Sequence, residues 1–217
     1  MRVDGTIKQT NTEVPNIHNV TILDGSGSMA GAKYNNACKG IQLDFDTCKR
    51  ENFKSFTFVE FNSAYSITTH CFMSNFDVTL KFNGADGGTP LYQTIGQTLE
   101  RLLEQVPKGD KVLVKIFTDG DHNEYYGKYA SEEELKPLIT TCESQGYTIT
   151  FIGTAIDTAR IIRNLGLDES NTLVHNNTGE GVKKSFQTQA VATTQYRKSL
   201  DEGEDVSRGF YSKVLND

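Results

Sequence analysis

The sequence predicts an α/β fold with a doubly wound, mostly parallel central sheet, one antiparallel edge strand and helices on both faces. Short runs rich in β-branched and aromatic residues alternate with longer segments whose apolar residues recur at helical spacing. Two neighbouring runs are separated only by a short polar turn, which is typical of a hairpin. Single strands that alternate with helices otherwise favour a parallel sheet that is covered on both faces.

The first half of the chain is predicted to contain a polar arm, three strands and two helices. Residues 1–13 form the arm, with an edge strand expected at 5–10. The predicted strands are Ile17–Leu23, Ser55–Phe61 and Ser66–Phe72, with a turn at Asn62 and Ser63. Apolar residues at helical spacing predict helices over 34–48 and 91–106, the second ending before Pro107. Between them, residues 74–86 are predicted to form a polar loop held by Phe76, Leu80 and Phe82.

The second half continues the alternation and ends in a charged tail. Strands are predicted at Lys111–Phe117, Tyr147–Ile152 and Thr172–His175, and helices from Ser131 to Gly146, from Asp157 to Gly166 and over 182–200. Lys115 has no evident partner in a strand that should be buried on both faces. The main domain is therefore expected to span 14–200. In the tail, 201–217, an apolar cluster (Phe210, Tyr211, Val214, Leu215) either docks or belongs to a disordered segment.

Composition argues against several classes of partner. The net charge of -6 and the pI near 5.3 argue against nucleic acid or an anionic membrane surface as the main partner. No apolar run is long enough to span a bilayer. The four cysteines are scattered and lack metal-site spacing, which favours reduced thiols. We therefore expect a cytoplasmic protein, in the host cytoplasm if the source is viral.

Three separate pieces of the sequence carry oxygen ligands next to predicted strands or helices. Asp24, Ser26 and Ser28 alternate with glycines directly after the first strand. Thr89 follows two glycines and opens a helix, and Asp119 follows the strand 111–117. Carboxylates and hydroxyls are hard ligands that suit Mg²⁺ or Mn²⁺ better than Zn²⁺ or copper. In such sheets, ligands bind outside the carboxyl ends of the strands, so the sequence predicts a divalent-cation site there.

This three-piece pattern resembles the metal-ion-dependent adhesion site of the von Willebrand factor A (vWA) family, which has a Rossmann-like fold. The resemblance covers residues 17–177 and is strongest to stand-alone intracellular domains of bacteria and phages. It implies that Asp24, Ser26, Ser28, Thr89 and Asp119 hold Mg²⁺ or Mn²⁺. In the family, the hydroxyls tend to touch the ion while the aspartates often act through water. One exchangeable position then remains for an Asp or Glu side chain of a protein partner.

Four residues after the last strand of the pattern are candidates for the rim of this site. Asp121, His122, Asn123 and Tyr125 either contact a partner or are ordinary solvated loop residues. The sequence is compatible with both interpretations.

Two other functions remain as alternatives to a cation-dependent binding module. The ion could only stabilise the loops of a structural component in a larger assembly. A Mg²⁺-dependent phosphohydrolase is less favoured, because the position two residues after Asp24 is Ser26 and supplies no general acid. No phosphate-binding loop or nucleophile elbow is present either. We expect the protein not to be an enzyme.

Overall fold

The described part of the chain forms a six-stranded mixed sheet in the order β3-β2-β1-β4-β5-β6. The computed structural model describes residues 15–64, 66–72, 78–120 and 122–215. The strands are β1 Ile17–Asp24, β2 Ser55–Phe61, β3 Ser66–Phe72, β4 Lys111–Phe117, β5 Tyr147–Gly153 and β6 Thr172–Val174. Among these six strands, only the β2–β3 pair is antiparallel, and β3 lies at one edge of the described sheet. This is the predicted sheet. The predicted edge strand at 5–10 lies outside the described residues.

Helices cover both faces of the sheet and create two separate cores. The helices are α1 Ala32–Arg50, α2 Leu91–Gln105, α3 Glu132–Ser144, α4 Ala155–Leu165, α5 Gly179–Asp201 and α6 Ser212–Leu215. Helices α1 and α5 pack on one face, and α2, α3 and α4 on the other. Gly40 lets α1 approach α5, because a Cβ there would lie 2.2 Å from the ring of Phe186. Alternate side chains of the strands β1, β2, β4 and β5 enter different cores.

Most predicted elements are confirmed to within a few residues, and one cap is wrong. Ser131 and Glu134 form the predicted capping box of α3, which continues past Pro137. Helix α4 starts earlier than predicted: its N-cap is Thr154, whose hydroxyl accepts a hydrogen bond from the backbone of Asp157. Asp157 instead occupies the third helical position. Both residue types cap helices well, so the sequence alone does not separate them.

Lys115 is explained by a partner that is distant in the sequence. Its side chain is 1% exposed, and its ammonium donates to Asp44 Oδ1 at 2.5 Å and to Thr193 Oγ1 at 2.8 Å. Asp44 lies on α1 and also accepts a hydrogen bond from Thr21 of β1 at 2.6 Å. A buried charge pair needs such additional hydrogen bonds to offset its loss of hydration. This pair therefore joins β4 to both helices of one face.

The segment after α5 packs against the same face as α1 and α5. Phe210 and Tyr211 are buried, and their rings meet edge to face with centroids 4.8 Å apart. Val214 packs at the border of this core, whereas Leu215 is exposed. The apolar cluster of the tail is thus mostly docked. None of the described helices is both long and apolar enough to cross a membrane.

Candidate metal centre

The site is built where β1 and β4 end side by side. These strands pair in parallel, with Leu23 opposite Phe117, so the loops that follow them begin at the same edge. Asp24, the last residue of β1, is buried. Its Oδ1 accepts the backbone N–H of Ser26 at 2.8 Å, and its Oδ2 accepts a hydrogen bond from the Thr118 hydroxyl. Both oxygens of Asp24 are therefore already oriented by neighbours.

Burial is the main influence on the ionisation of Asp24. It raises the pKa of this carboxyl to about 6, while the hydrogen bonds from Thr118 and Ser26 act in the opposite direction. The nearby charge of Asp119 raises the pKa further. A cation placed beside the two aspartates would favour the charged form of Asp24.

A chain of short contacts joins the two predicted serines to Asp119. Ser26 Oγ lies 3.0 Å from Ser28 Oγ, and Ser28 Oγ donates to Asp119 Oδ1 at 2.6 Å. Ser28 lies in the short helical turn Gly27–Met29 that follows β1. This turn is held against the loop that precedes Thr89, because the Gly27 N–H donates to the carbonyl of Gly87 at 2.9 Å. The hydrogen bond from Ser28 to Asp119 also brings oxygens of the loops after β1 and β4 into direct contact.

Thr89 approaches the same point from the loop before α2. A Cβ added to Gly120 would lie 3.2 Å from Ser28 Oγ and 3.8 Å from Thr89 Oγ1, so both hydroxyls are close to one position. The backbone of Thr89 is fixed by Asn123, whose Oδ1 accepts the Thr89 N–H at 2.7 Å. In return, Thr89 O accepts the Asn123 N–H at 3.2 Å. All five residues of the predicted ligand set thus gather at one edge of the sheet.

Lys33 is a site residue that was not predicted from the sequence. Its ammonium forms an ion pair with Asp119 Oδ2 and donates to Asn177 Oδ1 at 2.9 Å. Lys33 lies in the first turn of α1, and Asn177 lies just before α5. The protein therefore places its own cation on Oδ2 of Asp119. A lysine at the start of a helix gives no sequence signal for such a contact.

The donor set fits a hard divalent cation, and Lys33 competes with such an ion for one of the carboxylates. Two carboxylates and three hydroxyls supply only oxygen ligands, which Mg²⁺ and Mn²⁺ prefer. Among the described residues, no three His, Cys, Asp or Glu side chains converge, so hydroxyls and water would have to complete the shell. Lys33 occupies Asp119 Oδ2, and its positive charge would oppose an ion at the same carboxylate.

The candidate rim residues divide into exposed and buried ones. Tyr125 is 70% exposed, and Asn123 is exposed although its amide oxygen is bonded to Thr89. His122 is only 2% exposed and stacks on Tyr92 with ring centroids 4.1 Å apart, so it does not reach the rim. Its imidazole instead fills the space beneath the loop. Asp121 lies outside the described residues.

A buried carboxylate supports the loop that delivers Thr89. Glu60 of β2 is buried, and its side chain accepts hydrogen bonds from the Tyr34 hydroxyl and from both the backbone and the side chain of Asn83. Tyr34 also accepts the N–H of Gly84 at 2.7 Å. The loop after β3 is thereby anchored to α1 and β2. An acidic residue inside an apolar strand was the available sequence signal for this support.

No protein-family model and no curated protein matches the sequence. Several solved structures match in fold. The PilB minor pilin from Streptococcus sanguinis superposes with a TM-score of 0.60 at 14% identity, over 87% of this chain and 63% of the pilin. The chain thus spans less than two thirds of that protein.

Two other matches cover nearly the whole of the compared structure. The VWA domain of SpRpn10 has a TM-score of 0.58 at 12% identity, over 81% of this chain and 95% of that domain. The vWF domain of the type V pili tip protein Mfa5 from Porphyromonas gingivalis has a TM-score of 0.54 at 10% identity, over 83% and 97%. Identities this low support similarity of fold alone. The chain has the fold of a von Willebrand factor A domain.

Proposed function

We infer that this protein is a binding module whose contact with a protein partner depends on a divalent cation, Mg²⁺ or Mn²⁺. One observation carries the inference: Asp24, Ser26, Ser28, Thr89 and Asp119 come from three loops and present their side-chain oxygens at one sheet edge. The ion, once bound, would supply a positive centre with an exchangeable position. The chain's own residues orient the carboxylates and keep Asp24 away from bulk water.

An acidic side chain is the partner group that such a site fits best. A divalent ion with incomplete protein ligation accepts an additional carboxylate, and the negative charge of the site alone would repel one. Exposed residues beside the site offer further contact area, in particular Tyr125 and Tyr126. Tyrosines of this kind are enriched in protein interfaces. We therefore propose an Asp or Glu of a protein partner as the group that the ion binds.

We propose no catalytic role. Asp24 is the only site carboxylate in the position of a phosphohydrolase nucleophile, yet it is fully buried and both of its oxygens accept hydrogen bonds. Lys33 does place a cation at Asp119, which is one feature that a phosphohydrolase would share. Hydrolysis of p-nitrophenyl phosphate with Mg²⁺ decides the point. A metal-dependent rate that disappears in Asp24→Asn would replace this proposal with an enzymatic one.

The state of the cysteines bears on the cellular compartment of the protein. All four cysteines are free thiols, and Cys48, Cys71 and Cys142 are buried. Reduced thiols favour the cytoplasm, although pilus proteins such as Mfa5 share the fold. We propose a cytoplasmic location.

Manganese allows a direct test with a simple carboxylate. Mn²⁺ binding is followed by electron paramagnetic resonance, and acetate is then added while the relaxation of its methyl protons is measured. We expect faster acetate relaxation with the wild-type protein and Mn²⁺ than with Mn²⁺ alone. Asp24→Ala should abolish the effect, whereas Asp46→Ala, which removes an exposed carboxylate on α1, should not.

Two outcomes of this experiment would contradict the proposal in different ways. Absence of Mn²⁺ binding at millimolar concentrations would exclude a cation-dependent module. Binding of Mn²⁺ without any effect on acetate would show an ion that stabilises loops but offers no position to a partner. That result would favour a structural component of an assembly.

A further inference from the structure

A cavity of about 310 Å³ lies at the other end of the sheet from the candidate metal centre. It opens between β2, β3 and the C-terminal half of α2. Its lining includes His18 and Ser55 at the starts of β1 and β2, and Leu102 and Val106 near the end of α2. The metal centre lies at the opposite ends of β1 and α2. The two sites are therefore separate.

The architecture of the sheet explains why this cavity exists. Helices α2, α3 and α4 form a series that leads away from the edge strand β3, since α2 packs on α3 and α3 on α4. On the other face, the loop after β3 covers β2, with Phe82 against Phe58 at 5.5 Å between ring centroids. The face of β2 and β3 towards α2 has no such covering among the described residues. A cleft remains beside α2.

The floor of the cavity is buried and largely apolar. Val59 of β2 and Leu102 of α2 are buried and belong to the same core. Thr57 and Thr98 are also buried, and their hydroxyls are bonded to His70 at 2.7 Å and to the carbonyl of Thr94 at 2.8 Å. The hydroxyls are thus occupied, and their methyl groups add to the apolar lining. A volume near 310 Å³ is at the lower end of the range of about 300–1,000 Å³ for small-molecule sites.

The mouth of the cavity carries one permanent positive charge. Arg101 is exposed there and has no acidic partner among the residues that the structure describes. None of the described lining residues is acidic. Burial and the neighbouring His18 lower the pKa of His70, which keeps that imidazole neutral at neutral pH. Both ring nitrogens of His18 are bonded, to Ser55 at 2.7 Å and to Asp110 at 3.0 Å.

We propose that this cavity binds a small amphiphile with an aliphatic chain and a single carboxylate. The chain would lie on Val59 and Leu102, which removes apolar surface from water. The carboxylate would meet the guanidinium of Arg101, whose planar array of donors matches two carboxylate oxygens. An uncharged or cationic head group would lose this contact. The site is independent of the proposed cation-dependent function.

Three eight-carbon probes with different head groups test this assignment: octanoate, octanol and octylamine. Binding is measured by thermal shift and by changes in the methyl NMR signals of Val59 and Leu102. We expect octanoate to raise the melting temperature and to shift both signals, with weaker binding of octanol and none of octylamine. Arg101→Gln should weaken octanoate binding by about fivefold, in line with one charge-assisted contact at a solvated mouth. Arg101→Lys should retain part of it.

A matched control and three contrary outcomes complete the test. Arg163→Gln removes an exposed arginine from α4, which does not line the cavity, and should leave octanoate binding unchanged. Failure of octanoate to bind at millimolar concentration would overturn the proposal. So would equal binding of octanoate and octylamine that Arg101→Gln does not alter. Concentration-dependent dimerisation lost in Arg101→Gln would instead make the cavity an interface between two copies of this chain.

Discussion

The ammonium of Lys33 binds Asp119 Oδ2 while Asp119 Oδ1 accepts the hydroxyl of Ser28. Lys33 also donates to Asn177, so a single cation connects the start of α1, the end of β4 and the loop before α5. This contact compensates a carboxylate that would otherwise be buried without a counter-charge. A divalent ion that uses Asp119 has to share that carboxylate with Lys33 or displace it. Lys33 should therefore tune the affinity of the site.

Lys33→Met is expected to raise the affinity for Mg²⁺ or Mn²⁺ by about tenfold, or ~1.4 kcal/mol. The reason is the loss of a positive charge that competes for Asp119. In chelator, the same variant should melt at a lower temperature, because the carboxylate loses its partner. Lys39→Met, an exposed change on the same helix, serves as the control in calorimetric titration. Equal or lower affinity in Lys33→Met would show that Lys33 assists the ion rather than competing with it.

Gly120→Ala is expected to weaken ion binding with little loss of stability. The new methyl would lie 3.2 Å from Ser28 Oγ, so this hydroxyl has to move.

Thr89→Ala, which removes one hydroxyl and leaves both carboxylates, should weaken ion binding as well. Partner binding should fall further than ion binding in this variant, because the hydroxyls set where the ion is held. The measurements are ion affinity by calorimetry and unfolding by urea. Wild-type affinity in both variants would exclude the assigned hydroxyls as ligands.

Removal of only one member of the buried pair Lys115–Asp44 should be strongly destabilising. Asp44→Ala leaves the ammonium with the Thr193 hydroxyl as its one partner among the described residues, and we expect a loss of about 3–5 kcal/mol in the free energy of unfolding. The double variant Asp44→Leu with Lys115→Met should recover most of this loss, because no unpaired charge remains. Urea unfolding of the single and double variants measures both effects. Additive losses in the double variant would contradict the account.

The docked tail is expected to contribute to stability through Phe210 and Tyr211. Both side chains are buried against the α1–α5 face, so deletion after Leu200 should lower the melting temperature. Tyr211→Ala alone should cost about 3–5 kcal/mol. Leu215→Ala is the control, since Leu215 is exposed and its loss should have little effect. An unchanged melting curve for the deletion would mean that the contacts of the tail contribute no stability.

The sequence predicted the sheet closely because each strand is bounded by polar or turn residues. Ser55–Phe61 and Ser66–Phe72 agree with the structure to the residue, since Asn62 and Ser63 separate them. The start of α4 was predicted three residues late, because Thr154 and Asp157 are both good caps. The local pattern of residues therefore predicts which helices and strands form. Where two residues are equally good helix caps, the local pattern does not decide which of them is used.

The convergence of the five candidate residues was predicted from the sequence, but the contact of Lys33 with Asp119 was not. Asp24, Ser26, Ser28, Thr89 and Asp119 stand beside strand or helix ends, which the order of elements brings to one edge. The partners of Lys33 lie far away in the sequence, at positions 119 and 177. The same holds for Lys115 and Asp44. Such contacts depend on how helices are placed on the sheet, which periodicity does not reveal.

Calorimetric titration of Mg²⁺ and of Mn²⁺ into the wild-type protein and into Asp24→Ala is the decisive experiment for the proposed cation site. Asp24 is the buried carboxylate on which the site is built, and its loss should remove ion binding. We expect saturable binding of one ion to the wild type, a higher melting temperature with the ion, and neither effect in the variant. Absence of binding to the wild type at millimolar ion, or the same binding in Asp24→Ala, would contradict this expectation.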